Sequence, residues 1–505
     1  MTTTSTTTKQ PRQYTSLIAG QPRTASRAIS RYAPSNGVKV AEVNAADSNV
    51  VDAAVKAARR AFDEGPWPRM TGFERAAVLS RVADLIDAHA EELAMLDAEE
   101  GGKPLKLARG DIGGAAMLTR YAAALAVEMR GDTFTNSGPD FTGLVLREPI
   151  GVAGLIVPWN FPALILCQKL PFALGAGCAV VAKPSELTTG SAVRITEFYV
   201  EAGLPEGVFN LVTGDGEAGG ALAEHAGIDL ISFTGSTATG RRVVEASKQS
   251  LTKVHLELGG KAASLVFADA DLDDAADGVL FGAYFNCGEC CVSQSRLLVQ
   301  DSIAAEFVAR LADASARIKV GQPLDDTTDV GPMIHDGHLA KVLGYLDTGA
   351  KEGARVAVGG SRANAGDLAS GLYVQPTILD SVTTDMTVFN EEIFGPVLTV
   401  TTFTDAADAI AKANAVQYGL SNSMWSKNID RVLNVSKALK SGTVYVNTAI
   451  DAPPNMPFGG YKASGYGREM GQAGFDEYTT LKSVNIRTGR RAGTFAITAP
   501  RAVRR

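Results

Sequence analysis

The chain has 505 residues, 45% of them hydrophobic and 20% charged, with a formal net charge of −7. That length exceeds what one hydrophobic core serves, so two or three domains are expected, and the acidic balance gives no general grip on nucleic acid or anionic lipid. Five cysteines in so long a chain fit free thiols in a reducing compartment better than a disulfide framework.

The first residues, "MTTTSTTTKQPR", are Thr-rich and lack the apolar run of a signal peptide. They predict a disordered tail over 1–14 and a cytoplasmic location. Residues 49–129 predict long helices: "VVDAAVKAARRAF" and "RAAVLSRVADLIDAHAEELAMLDAEE" place apolar residues at i, i+3, i+4 and i+7. Residues 131–150, rich in Thr, Phe, Val and turn formers, predict an extended hairpin. The most apolar stretch, 151–182, is broken by Pro158, Asn160, Pro162, Gln168 and Lys169, which argues against a membrane span.

From 151 onward, short apolar runs of buried parallel-strand type recur: "GVAGLIVPW", "GCAVVAKPS", "VFNLVTG", "LISFTGS" and "ASLVF". Helical segments such as 187–203 and 217–226 lie between most of them, so a doubly wound α/β layout is expected, with ligand loops at strand C-termini. A second alternating region runs from about 275 to 470. "EYTTLKSVNI" at 477–486 reads as a strand, able to pair with 131–150 and with a partner subunit's sheet. The basic end, Arg487 to Arg505, reads as a solvated tail rather than a nucleic-acid patch.

Three loops bear on a dinucleotide. Gly214-Asp-Gly216-Glu-Ala-Gly219 fits GxGxxG, but the acid expected at the end of the next strand is absent, so a plain strand-to-helix turn competes with it. "FTGSTATG" at 233–240 ends a strand and opens a helix, where backbone N–H groups and the Ser236 hydroxyl could meet a pyrophosphate. "KPSE" at 183–186 puts Lys183 and Glu186 where a ribose binds. A carboxylate there accepts from free hydroxyls and repels a 2′-phosphate, which favours NAD and leaves NADP possible.

"FNCGECCVSQSR" at 285–296 gathers three of the five cysteines. A zinc knuckle needs a second ligand pair, and Cys167, Cys178, His335 and His338 do not supply one at motif spacing. A C-x-x-C redox motif should open a helix in a small βαβ domain. The third reading is nucleophilic catalysis, with Glu257 in "LELGGK" and Asn160 in "PWNFP" as companions. Thiolate, carboxylate and amide are what covalent aldehyde oxidation needs: attack on the carbonyl, water activation and an oxyanion donor.

The motifs PWNFP, KPSE, FTGSTATG, LELGGK, GECC, EEIFGPV and PFGGYKASGYGRE, in this order over about 15 to 486, resemble the NAD(P)-dependent aldehyde dehydrogenase superfamily, hydrolytic branch. The resemblance implies an α/β fold of two doubly wound Rossmann-like domains plus a small β oligomerisation element. The NAD-binding domain is expected at 15–130 and 151–258, the oligomerisation element at 131–150 and 475–490, the catalytic domain at 259–474, and a basic tail at 491–505. A homodimer or homotetramer follows, with no metal and no nucleic-acid or membrane partner.

Placed on the family's F-x-x-x-G-Q-x-C segment, Phe285 and Gly288 match, Glu289 replaces Gln, and Cys291 is the nucleophile. Cys287 and Cys290 become bystanders, with Cys290 close enough for a disulfide. A carboxylate at 289 near the thiol would raise its pKa. Asn160 and the Cys291 N–H resemble the oxyanion hole, and Glu257 the general base for release to water. Ile156, Trp159, Lys183, Glu186, Ser236, Glu392 and Phe394 resemble the cofactor contacts. Phe161, Ile165, Gln168, Val292, Ala449 to Ala452 and Phe458 resemble the substrate-tunnel positions. With Gln168 and two alanines where relatives carry aromatics, a wide, partly polar tunnel is expected, for an ω-amino, hydroxy or bulky aldehyde. A CoA-acylating semialdehyde dehydrogenase and a catalytically silent family member are the alternatives.

Overall fold

The computed structural model describes residues 10–489. The expected basic tail 491–505 and residues 1–9 of the expected N-terminal tail lie outside the described residues. Residues 12–14, also assigned to that tail, are ordered instead. Arg12–Tyr14 is a strand parallel to Lys39–Ala45, and Tyr14 is buried with its hydroxyl donating to Glu100 at 2.6 Å. One anchored aromatic holds down a segment whose neighbours read as polar tail.

Four helices follow, Ser48–Asp63, Gly72–Ala88, Ala90–Gly101 and Leu105–Val127. Asp47 caps the first by accepting from the N–H groups of Asn49 and Val50, and Thr71 with Glu74 forms a capping box on the second. Their apolar faces pack beside the first large sheet. Its order is Gly465–Tyr466, Lys253–Glu257, Leu230–Thr234, Val152–Ile156, Ala179–Lys183, Phe209–Leu211, Ser16–Ile18, Gln21–Arg23. The strands from Lys253–Glu257 through Phe209–Leu211 are parallel. Val152–Ile156 and Ala179–Lys183 are buried at every position, the mark of a sheet covered on both faces.

Val152–Ile156 comes first in chain order among the parallel strands and lies centrally. The chain winds from it to Ala179–Lys183 on one side and later to Leu230–Thr234 on the other. The crevice at the C-terminal ends of these strands is therefore a topological switch point, where open α/β sheets bind ligands.

The second large sheet runs Arg355–Val358, Thr377–Asp380, Val397–Phe403, Arg296–Gln300, Ala263–Val266, Ser421–Trp425, Thr443–Val446, and only the first of these is antiparallel to its neighbour. Thr479–Arg487 pairs antiparallel with Phe141–Pro149, which also pairs with Asp132–Phe134. The two outlying β segments thus meet as expected, and Phe134, Leu146, Leu481 and Ile486 stand exposed on them.

Residues 465–474, expected within 259–474, also pack against the first unit. Gly465–Tyr466 adds to the edge of the first sheet, and Met470 and Phe475 are buried in the first unit's core. The chain returns to the first unit before entering the small sheet, because the apolar faces of 465–475 have their complement there. No helix among the described residues is long and apolar enough to cross a membrane.

Candidate active site

Each motif of the first unit sits where its strand ends. Val152–Ile156 leads into "PWNFP", Ala179–Lys183 into "KPSE", Leu230–Thr234 into "GSTATG" and Lys253–Glu257 into "LGGK". Parallel neighbours deliver all four loops to one edge.

The cysteine segment comes from the second unit. Helix Leu272–Tyr284 ends in a turn in which Asn286, Cys287 and Gly288 have φ of 50°, 61° and 72°. Two consecutive non-glycine residues in the left-handed region carry strain that the surroundings must hold, a common property of functional loops. A Cβ on Gly288 would lie 2.1 Å from the Gly395 carbonyl oxygen, so glycine is required by close approach as well as by φ. The Asn286 amide donates to the carbonyls of Asn160 and Glu289, both at 3.0 Å, and the Asn160 amide donates to the Glu289 carbonyl at 3.0 Å. The cysteine loop and the "PWNFP" loop are thereby braced to each other.

Cys291 is half-buried and all five cysteines are free thiols. With Glu257, Phe161, Gln168, Val292 and Phe458 it lines a cavity of about 220 Å³. The candidate nucleophile, base and substrate residues are thus brought together. Ile165, Ile450 and Ala452 line the same cavity. Asn160 lines a small polar cavity with Asp97, Lys103, Asn286 and Glu289.

Close packing explains the glycine pair of "LELGGK". A Cβ on Gly260 would lie 2.2 Å from the Cys291 carbonyl oxygen, and one on Gly259 would lie 2.4 Å from the Glu392 carboxylate. The Gly260 N–H donates to Glu392 at 2.8 Å. One turn therefore positions Glu257, the backbone of Cys291 and Glu392 together.

Contact with the Cys290 thiol, burial and the Glu392 carboxylate push the Cys291 thiol up. Glu289 has no part in this. Its carboxylate accepts from the Ile334 N–H at 3.0 Å and lies 3.5 Å from His338 Nε2, so it faces away from the thiol, and burial holds it well above the usual carboxylate range. An effect of Glu289 on the thiol required an ionised carboxylate close to it, and burial favours the neutral form.

Glu257 is buried, and neither of its carboxylate oxygens has a hydrogen-bond partner among the described residues. Burial first, then Glu469, raises its pKa well above the usual value, with Lys169 opposing. Lys169 pairs with Glu469 and donates to Ser232 at 2.8 Å in a cluster shut off from solvent.

On the dinucleotide side, Lys183 donates to the Gly214 carbonyl at 3.0 Å and lies 3.9 Å from Glu186. Ile156 is buried at its strand end. Ser236 caps helix Thr237–Ser247, accepting from the Thr239 N–H at 3.2 Å. Asp215 in the GxGxxG turn caps helix Gly216–Glu224 and is held by Arg27, so that turn has a structural role. Trp159 stands edge-on to Phe394, with centroids 5.5 Å apart, and to His338 at 5.7 Å. Phe394 has φ 62°, and His338 Nε2 donates to its carbonyl at 2.6 Å.

These groups fit a dinucleotide. A capped helix N-terminus suits a pyrophosphate. A buried ammonium and a carboxylate at the adjoining strand end suit a ribose. An anchored carboxylate, Glu392, and an aromatic cluster close the far end. His338 and Lys341, which faces Glu392 and Glu391, belong to this region and carry no sequence motif. Their place on helix Asp336–Glu352 is set by tertiary packing. Among the described residues no group of three or more His, Cys, Asp or Glu is arranged to hold a metal.

The aldehyde dehydrogenase family model matches residues 21–484. The chain is 44% identical to aldehyde dehydrogenase family 2 member C4 of Arabidopsis thaliana, over 89% of this chain and 90% of that protein. It is 41% identical to betaine aldehyde dehydrogenase of Bacillus subtilis, over 89% and 92%. The crystal structure of an NAD-dependent aldehyde dehydrogenase from Sinorhizobium meliloti superposes with a TM-score of 0.94 at 47% identity, covering 96% of each chain. Betaine aldehyde dehydrogenase from Staphylococcus aureus in complex with NAD+ superposes with a TM-score of 0.94 at 36% identity, also over 96% of each chain.

Proposed function

The chain belongs to the aldehyde dehydrogenase family, NAD-dependent enzymes of aldehyde oxidation, and within it we propose that this protein oxidises a bulky, predominantly apolar aldehyde to the free acid. The carrying observation is the cavity that Cys291 and Glu257 share. Leu118, Phe161, Leu164, Ile165, Phe285 and Phe458 are among its walls, and Gly110 and Gly114 leave one wall open. Gln168, which suggested a polar tunnel, donates instead to the Met470 sulfur at 3.7 Å.

A cationic substrate end finds little support. Asp111, the other carboxylate on the wall, is paired with Lys103. The Lys103 ammonium sits 3.8 Å over the Phe161 ring, which also stacks on Phe285, so that ring is already engaged and adds little to an aromatic cage.

In the proposed mechanism the Cys291 thiol loses its proton to water in the cavity it lines, and the thiolate attacks the aldehyde carbon. The Asn160 amide and the Cys291 N–H stabilise the oxyanion. NAD, when bound, accepts the hydride. Glu257 then takes a proton from water as that water attacks the thioester on Cys291, and the C–S bond breaks. Lys183, Glu186 and Ser236 would hold the adenosine and pyrophosphate end, with Ile156 beside them. Glu392, Phe394 and Trp159 would hold the nicotinamide end. A free base beside the thioester supports release to water over transfer to CoA.

The test is NADH formation across alkyl, aromatic, ω-amino, hydroxylated and quaternary-ammonium aldehydes, with and without CoA, and with NADP+ replacing NAD+. Burying one aromatic ring contributes about 1.5–3 kcal/mol, so aromatic aldehydes should exceed acetaldehyde in kcat/KM by roughly ten- to hundredfold. The rate should fall with NADP+, because Glu186 repels a 2′-phosphate. An ω-amino or quaternary-ammonium winner would sink the tunnel reading, and CoA-dependent product would sink the hydrolytic one.

We also propose that the exposed apolar residues of the small sheet pair with a second copy, giving a homodimer or homotetramer. Sedimentation equilibrium should read a multiple of the chain mass, and a monomer at micromolar concentration would refute this.

A further inference from the structure

Glu257 must be ionised to take a proton from water, yet it is buried without a hydrogen-bond partner among the described residues, in surroundings that favour its neutral form. Something beside it has to accept its proton in each cycle. His255 lies two residues earlier on the same strand and therefore on the same face. It is 1% exposed, and its Nε2 has no hydrogen-bond partner among the described residues and lies 3.6 Å from Glu257 Oε1.

The neighbours fix the tautomer. Ser232, opposite His255 in the parallel register, accepts from Lys169 at 2.8 Å and donates to Glu469 Oε1 at 3.3 Å. Its remaining lone pair faces His255 Nδ1 at 3.3 Å, and Glu469 Oε1 lies 3.5 Å from the same nitrogen. Both neighbours of Nδ1 call for a proton there, which leaves Nε2 bare and directed at Glu257. The ring is admitted by Gly467, where a Cβ would lie 2.2 Å from His255 Cδ2.

We propose that His255 is a positioning residue for the base: its Nε2 takes the proton from Glu257 while its Nδ1–H passes to Glu469, returning Glu257 to the carboxylate. This rests on the reading of Glu257 as the base for deacylation. Proton and charge balance. Water loses one proton to Glu257, Glu257–COOH loses it to Nε2, Nδ1 loses its own to the Glu469 carboxylate, and no electrons move. Once the acid has left, the transfers run in reverse, restoring the Nδ1–H tautomer, and Glu257 gives the proton to water in the cavity it lines. The two gaps exceed a hydrogen bond by about 0.5 Å, within reach of a small carboxylate rotation.

The charged and titratable groups facing His255 are Glu257 and Lys253 on its own strand, Glu469 and Arg468 from the loop before Gly471–Glu477, and Lys169 from helix Pro162–Ala176. The cations Lys169, Lys253 and Arg468, together with burial, hold His255 neutral. A neutral imidazole can accept and release a proton across its two nitrogens, whereas an amide of similar size cannot.

The experiment is stopped-flow NADH formation with an aromatic aldehyde at saturating NAD+, over a pH series, for wild type, His255→Gln and Glu257→Gln. His255→Gln is expected to form one NADH per active site at the wild-type rate, which also shows that it folds. It should then turn over at least roughly tenfold more slowly, with a steady state that climbs with pH more steeply than that of the wild type, because hydroxide now has to strip Glu257. Wild-type turnover and pH profile in His255→Gln would overturn the proposal and leave Glu257 untouched. Loss of the burst together with turnover would also overturn it, by making His255 a packing residue. Wild-type turnover in Glu257→Gln would remove the reading on which the proposal stands.

Discussion

Alanine at Cys291 is expected to lower aldehyde-dependent NADH formation by on the order of 10⁴-fold or more, because the covalent path is lost entirely. NAD+ affinity, read by fluorescence titration, should hold, since Lys183, Glu186, Ser236, Glu392 and Phe394 come from other loops. Cys290→Ala should stay active, which separates the nucleophile from its neighbour. It should also move the acylation limb to lower pH, because contact with Cys290 is the largest cause of the raised Cys291 pKa. Asn160→Ala in the same assay should cost about 10²–10³-fold in kcat, the usual worth of one oxyanion donor. Substantial activity in Cys291→Ala would shift the assignment to Cys290 or Cys287. Cys287 is the poorer candidate, because it is buried and its sulfur is tied to the Gly331 N–H at 3.2 Å.

The sheet framework was readable where fully buried parallel strands leave continuous apolar runs, as at Val152–Ile156, Ala179–Lys183 and Leu230–Thr234, each followed at once by its motif, whereas Lys253–Glu257, with Lys253, His255 and Glu257 in five residues, leaves no such run. A motif at a strand end is local in sequence, so Asn160, Lys183, Ser236 and Glu257 could be singled out as candidates one at a time. Features assembled from distant segments were not readable. The direction of the Glu289 side chain depends on the Ile334 N–H, 45 residues away. The anchoring of Arg12–Tyr14 depends on Glu100. The return of 465–475 to the first unit reflects a complement of apolar surface that periodicity cannot report. The surroundings of Gln168 were not readable for the same reason. Gln168 is polar in the sequence, but in the fold Met470, more than 300 residues on, takes its amide.

Glutamine at Glu257 should leave the first half of the reaction and remove the second. Cys291 can still attack and one NADH per active site should form, but the thioester should accumulate and kcat should fall by roughly 10²–10⁴-fold, the range for a positioned general base. Intact-protein mass spectrometry should show the acyl adduct on Cys291 after one turnover. The pH dependence gives a second reading. Burial and Glu469 raise the Glu257 pKa, so the carboxylate forms only as pH rises through that raised value. Deacylation should therefore climb with pH in the wild type, and this limb should vanish in Glu257→Gln. Stability should move the opposite way. A carboxyl whose folded pKa is raised contributes stability below its unfolded value and loses it as pH rises through the folded one. Glutamine is neutral throughout, so at alkaline pH the variant should melt no lower than the wild type. A protein that is more stable and cannot release its product is the signature of a base kept in a poorly solvated site for the sake of chemistry. Wild-type kcat in Glu257→Gln, or an adduct that clears as fast as in the wild type, would mean that water is activated elsewhere.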